Sequence, residues 1–167
     1  LLRDVEDGDG VIIRKSITID LDGHTYIATQ NLAGSSGTAS QTFQILKEAG
    51  NVTIKNGTVK GGTSVRMIIQ NYANTTLENV TVDIAGSGAS YAFSNNNGKI
   101  AVTGSTTIKG KMDLYNWPKG SYLDGVQAVI NTTGTIDEIE LGFDSITTDP
   151  KTELDIPAGT IGKISIA

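Results

Sequence analysis

The 167-residue chain has no cysteine, which excludes disulfides, thiolate zinc sites and cysteine nucleophiles together. Histidine occurs once, at His24, and there is no G-x-S-x-G string, so a serine triad would have one possible base and no nucleophile elbow. No apolar run approaches the ~18 residues of a membrane-spanning helix, so membrane insertion is not expected. Like charges never form a block of five, and 13 basic against 18 acidic residues give a net −5. That balance argues against nucleic acid or an anionic bilayer as partner. Helical patterning is nearly missing too. Only Gln41 to Ala49, QTFQILKEA, could form a helix, and its Phe43/Ile45 alternation reads equally as strand.

What is present is glycine, 20 of it, with abundant Thr, Ser and Asn, a composition suited to many short strands and tight turns. The chain also repeats. A shift of 23 residues lays VTIKNGTVK on TTLENVTVD, bringing Ile54 to Leu77, Asn56 to Asn79 and Val59 to Val82. A further 25 to 26 brings Leu77 to Val102 and Val82 to Ile108. An upstream shift of 35 brings Ile19 to Ile54, with the Gly/Ser-rich insertion Gln30 to Ser40 as the excess. A second series precedes these segments: Phe43 to Leu46, Met67 to Asn71, Tyr91 to Asn95 and Met112 to Asn116. The first repeat reads as strands Val11 to Lys15, Ser16 to Asp22 and His24 to Thr29, with Asp22-Gly23 at a corner. Later stretches, GVQAVIN, TIDEIELG, TELDIPAG and GKISIA, keep the alternation without the fixed spacing.

A unit of this size with three short strands cannot close its own core, whereas coaxial stacking buries a continuous apolar column. The expected fold is all-β: a parallel β-helix, or β-solenoid, of about six coils of three short strands, forming a single domain over residues 1–167. The same register stacks outward residues. It predicts one column of Asp20, Lys55 and Glu78 and another of Lys60, Asp83 and Lys109, both alternating in sign.

With SITIDLDGHT, NVTIKNGTVKGG and LENVTVDIAG on these rungs, the chain resembles the right-handed parallel β-helix superfamily typified by pectate lyases, in its bacterial surface and secreted forms. The resemblance is clear from Val11 to about Gly110. It implies right-handed coiling and an extracellular or cell-surface place. In lyase members, acidic residues on the sheet hold calcium and an arginine or lysine abstracts the proton. Here the arginines are Arg3, Arg14 and Arg66, and Arg66 opens RMIIQN with no acidic ladder beside it. The adjacent aspartate pair, Gly-His-Gly and Arg-x-Lys of the polygalacturonase members are absent.

Other candidates read as architecture. His24 is expected outward at a corner, for want of partners at metal-ligand spacing. Asp4 to Gly10, DVEDGDG, departs from a calcium loop because Val5 stands in an acidic place, and reads as a turn that opens the solenoid. Asp20 and Asp22 share a strand face and could act as an acid/base pair, but Asp20 already has Lys55 as neighbour. Five N-x-[ST] strings, at Asn51, Asn56, Asn74, Asn79 and Asn131, fit coil corners and amide ladders. Ice binding would need regular outward threonine rows, and Thr18 and Thr53 lie beside charge columns.

The stretch Asp113 to Gly125, DLYNWPKGSYLDG, interrupts the repeat. Its Tyr115, Trp117, Tyr122, Asp113, Asp124 and Lys119 make the expected glycan-binding site, with rings stacking on sugars and carboxylates bonding hydroxyls; the other reading is a long turn laying its aromatics on the solenoid flank. No cofactor or metal is expected. The functional expectation is a non-catalytic module of a bacterial surface or secreted protein, a stalk or adhesin-like surface for a polysaccharide or host glycan. The alternative is a polysaccharide lyase or glycoside hydrolase. The start at Leu1-Leu2-Arg3 and the alternating GKISIA suggest a piece of a longer polypeptide, with more chain beyond Ala167 or an end-to-end or edge self-association.

Overall fold

The computed structural model describes residues 1–35 and 38–167 and contains one continuous sheet that winds on itself as a parallel β-solenoid of about five turns. Three faces recur in order. Face 1 holds β2 (Val11–Ile13), β5 (Gln41–Ile45), β7 (Met67–Asn71) and β9 (Tyr91–Asn96), then the ends of β11 (Thr107–Asn116), β12 (Val126–Phe143) and β13 (Thr152–Ile166). Face 2 holds β3 (Ile17–Asp20), the first halves of β6 (Asn51–Gly61) and β8 (Asn74–Asp83), then β10 (Gly98–Gly104) and the starts of β12 and β13. Face 3 holds β1 (Val5–Asp9), β4 (Thr25–Gln30), the second halves of β6 and β8, the start of β11, and the middles of β12 and β13. All the pairings between these strands are parallel.

Side chains alternate across each strand, so every second residue enters the interior and stacks on its equivalent one turn away. Face 1 contributes the column Val11, Phe43, Ile69, Phe93, Met112, Ile139 and Ile164. Face 3 contributes Val5, Tyr26, Val59, Val82, Ile108, Ile136 and Ile161. Ile54, Leu77, Val102 and Ile130 of face 2 are fully buried against them. Each such side chain contributes roughly 1.5–3 kcal/mol on burial. The registers expected from the repeat, Ile19 on Ile54 on Leu77 on Val102 and Val59 on Val82 on Ile108, are those of the sheet.

The outward columns also stand as expected. Lys55 lies 3.4 Å from Asp20, and Asp83 receives both Lys60 at 3.8 Å and Lys109 at 3.5 Å. Glu78 is the rung neighbour of Lys55. A further alternating column, Lys111, Glu138 and Lys163, follows on the later turns. The threonine column Thr18, Thr53 and Thr76 gives way to Ala101, Val129 and Asp155, so no regular threonine array extends along face 2.

The corner from face 2 to face 3 is an amide ladder. Asn56 and Asn79 take left-handed backbone (φ 59° and 54°), a geometry asparagine tolerates. Asn56 Nδ2 donates to Asp20 Oδ1 at 3.1 Å, Asn79 Nδ2 to Asn56 Oδ1 at 3.4 Å, and Asn79 Oδ1 accepts the Ser105 N–H at 3.0 Å. A second ladder lies inside. There Asn71 Nδ2 donates to Asn95 Oδ1 at 2.7 Å, and Asn95 Nδ2, whose next rung is Leu114, has no partner among the described residues.

Several expectations are corrected. DVEDGDG forms strand β1 rather than a turn: its glycines allow close approach, since a Cβ on Gly8 would lie 2.8 Å from the Tyr26 ring and one on Gly10 only 1.9 Å from Ala33 N. Its carboxylates bond locally, Asp4 to Thr25 N–H and His24, Asp7 to Thr29, and Asp9 to Asn31. Gln41 to Ala49 divides into β5 and a 3₁₀ turn at Lys47–Ala49. The first repeat's strands are shorter than expected, β2 and β3 stopping at Ile13 and Asp20, and β4 runs one residue past Thr29, while Asp22-Gly23 does form a corner (φ 50° and 82°). Separate strands per face give way to strands that run through corners: β6 and β8 cover two faces, and β12 covers three. Of the insertion Gln30 to Ser40, Ser36 and Gly37 lie outside the described residues.

Candidate functional site

Trp117 to Asp124 leaves the coil after β11 and folds back as a strap over the outer side of face 1. Pro118 removes a strand donor, and Gly120 and Gly125 take positive φ (145° and 81°), so the stretch cannot continue the ladder. Both ends of the strap are fastened at the corner between faces 1 and 2. Asn97 Oδ1 accepts the Trp117 N–H at 2.7 Å, and Asn97 Nδ2 donates to Trp117 O at 3.1 Å and to Leu123 O. The next residue, Gly98, donates its N–H to Gly125 O at 2.8 Å.

The strap's rings form a stack. Tyr115 and Trp117 have centroids 5.0 Å apart and tilted at 55°, Trp117 and Tyr122 lie 5.6 Å apart at 16°, and Tyr122 reaches Tyr72 at 5.8 Å and 29°. Trp117 Nε1 donates to Asn96 Oδ1 at 2.8 Å. Tyr72 was not expected here. Its signal is its place after MIIQN: Asn71 pairs with Asn95, which sets Tyr72 on the same outward line as Asn96 and Tyr115.

Beneath the strap runs an outward column of Gln44, Gln70, Ser94, Asp113 and Glu140. Gln44 Nε2 donates to Gln70 Oε1 at 3.2 Å. Asn96 Nδ2 donates to Ser94 Oγ at 3.0 Å, and Ser94 Oγ donates to Asp113 Oδ2 at 3.2 Å, so a chain of bonds links Trp117 to Asp113. Asp113 is only 6 % exposed. Burial pushes its carboxyl up to about 6, against the Ser94 bond, with the Glu140 charge adding to the rise and Lys111 opposing it. Glu140 is held by Lys111 at 2.6 Å, whose ammonium also sits 5.5 Å from the Tyr91 ring centroid.

The structure brings together the rings of Tyr115, Trp117 and Tyr122, ties Asp113 to them at second hand, and bridges the Lys119 backbone to Tyr122. Lys119 and Asp124 pair with each other at 3.1 Å, where the Lys119 hydrogen bond holds the Asp124 carboxyl below its ordinary range and Lys151 adds to the effect. They line a hollow of about 250 Å³ with Ile146 and Asp149. On the other side of the strap, Tyr72 and Tyr122 wall an open cavity of about 280 Å³ with Gln44, Leu46 and Ser121. Lys47 Nζ donates to Tyr122 O at 3.2 Å there. A hollow of about 520 Å³ on face 2, between Lys99 and Glu153, has no aromatic wall. Arg66 sits just before β7 and donates to the carbonyls of Thr63 and Gly88.

Comparison of the chain with protein-family models, with curated proteins and with solved structures yields no match.

Proposed function

We propose that this chain is a non-catalytic, pectate-lyase-like β-helix module of a bacterial cell-surface or secreted protein, a rigid stalk that offers a glycan-binding patch at the strap. The observation that carries the reading is the cavity beside Tyr72 and Tyr122, whose aromatic walls meet the amide of Gln44, the hydroxyl of Ser121 and the charged groups of Lys47 and Glu48. Aromatic faces suit the apolar faces of sugar rings, and amide and hydroxyl groups suit their hydroxyls. Binding to a glycan array should fall by about two- to tenfold in Tyr122→Ala, the roughly 0.5–1.5 kcal/mol that one ring contact contributes. Trp117→Ala should weaken it less, since that ring is covered by Tyr115 and Tyr122. Equal binding by wild type and both variants across the array would sink the proposal.

A second reading, a glycoside hydrolase, draws on the Asp113 and Glu140 pair. Asp113 and Glu140 stand on adjacent rungs, whose backbones are about 4.8 Å apart, so both side chains point to one outer face, and a carboxyl raised to about 6 can carry the acid's proton. Against it stands the burial of Asp113. Release of reducing ends from a polysaccharide panel, lost in Glu140→Gln, would favour this reading over the first.

A further inference from the structure

One polar group at the strap cavity is unspent. Gln44 is 5 % exposed, and its Nε2 donates to Gln70 Oε1 at 3.2 Å. Its Oε1 accepts no bond among the described residues, yet it is not sealed away, since the unpaired buried side-chain atoms there are Gln41 Oε1 and Asn95 Nδ2. It therefore opens on the cavity of about 280 Å³ that Gln44 lines. An amide carbonyl in so enclosed a place calls for a donor from whatever fills the cavity. The charges around it are already engaged. Glu48 holds Arg14 at 3.0 Å, and Lys47 Nζ donates to Tyr122 O at 3.2 Å.

Beside the carbonyl stands a hydrocarbon. Leu46 stays extended (φ −81°, ψ 155°), so it falls on the same outer side as Gln44, two residues and about 6–7 Å further along the chain. The Tyr72 N–H donates to Ile45 O at 2.9 Å, which puts Tyr72 one rung from Leu46, and Tyr122 stacks on Tyr72 at 5.8 Å. The cavity thus offers an acceptor, an alkyl group and an aromatic wall in that order. Its volume, close to the ~300 Å³ lower bound of small-molecule pockets, suits one sugar ring with its substituents.

An acetamido group joins an N–H to a carbonyl and a methyl. It can give Gln44 Oε1 its donor and lay the methyl on Leu46 while the ring rests against the tyrosines. A hydroxyl meets only the first of these needs, and an ionised carboxylate offers no donor. We infer that the strap cavity selects an N-acetylated amino sugar. The inference rests on the reading of the strap as a glycan site and narrows it to one class of sugar.

NMR titration of the wild-type chain with methyl glycosides of the gluco and galacto series should show the N-acetylamino sugar of one series binding about two- to tenfold tighter than its plain, free-amine and uronate counterparts. Saturation transfer should be strongest at the acetyl methyl and should weaken there in Leu46→Ser. Gln44→Met keeps the length of the side chain and removes the acceptor, so the preference should fall to about one. That preference is a ratio measured within one protein, so a smaller folded fraction cancels. Acetylated and plain sugars that bind alike, or a preference unchanged in both variants, would overturn the inference and leave the glycan-site reading standing. A wild type that binds none of these sugars and nothing on a glycan array would overturn both.

Discussion

Two corners of the same solenoid use asparagine for different ends. Between faces 2 and 3, Asp20, Asn56 and Asn79 stack turn after turn and bond chiefly to one another. Between faces 1 and 2, Asn97 bonds to a segment from another turn and pins the strap with both ends of its amide. The first corner stays local and repeats; the second is fully buried and occurs in one turn. Regular corners thus stabilise the wall, and the irregular one positions the only aromatic cluster outside it among the described residues.

The comparison breaks most sharply at Asn97. Asn97→Ala leaves Trp117 N–H, Trp117 O and Leu123 O without their partner, and each unmet buried group costs about 1–3 kcal/mol. We expect a loss of roughly 3 kcal/mol in urea denaturation, with release of the strap read by Trp117 fluorescence.

Next comes Asp113. Its folded value, about 6, lies above the ordinary 3.8, so the folded chain prefers the proton. The stabilisation is complete below about pH 4 and is lost as pH rises through 6. A shift of this size corresponds to as much as about 3 kcal/mol. Asp113→Asn should raise stability at pH 8, leave it nearly unchanged at pH 4, and flatten the curve between; a variant curve parallel to wild type would contradict this.

The repeating corner should give smaller effects. Asn79→Gly keeps the left-handed backbone and loses the bonds to Asn56 and Ser105, for about 1 kcal/mol by chemical denaturation. Asn79→Ala should cost roughly 1–2 kcal/mol more, the penalty for a Cβ in that conformation. Smallest of all, Lys55→Ala should change stability by less than about 1 kcal/mol, because the pair with Asp20 is half-exposed and screened by salt.

The columns were legible in the sequence for a physical reason. Rungs one turn apart share an environment, so Ile54 and Leu77, or Lys60 and Asp83, are selected by the same neighbours and recur at the coil's period. Tyr72 was harder to place because its partner, Tyr122, returns from two turns further on, a contact with no period. DVEDGDG misled because glycine serves tight approach as well as turning, and only the nearness of Tyr26 and Ala33 distinguishes the two. Lys119 and Asp124 sit with the rings in the sequence, and only the fold shows that their charges are paired with each other.

The strap leaves and rejoins the coil at two consecutive residues, Asn97 and Gly98. With its ends held side by side, lengthening it costs only about 0.6 kcal/mol per doubling and does not shift the turns on either side. The coil is therefore indifferent to what the strap says. Variation in sequence can accumulate there without disturbing the scaffold, and an unrelated peptide sequence grafted between Trp117 and Asp124 would be displayed at a fixed height along the axis.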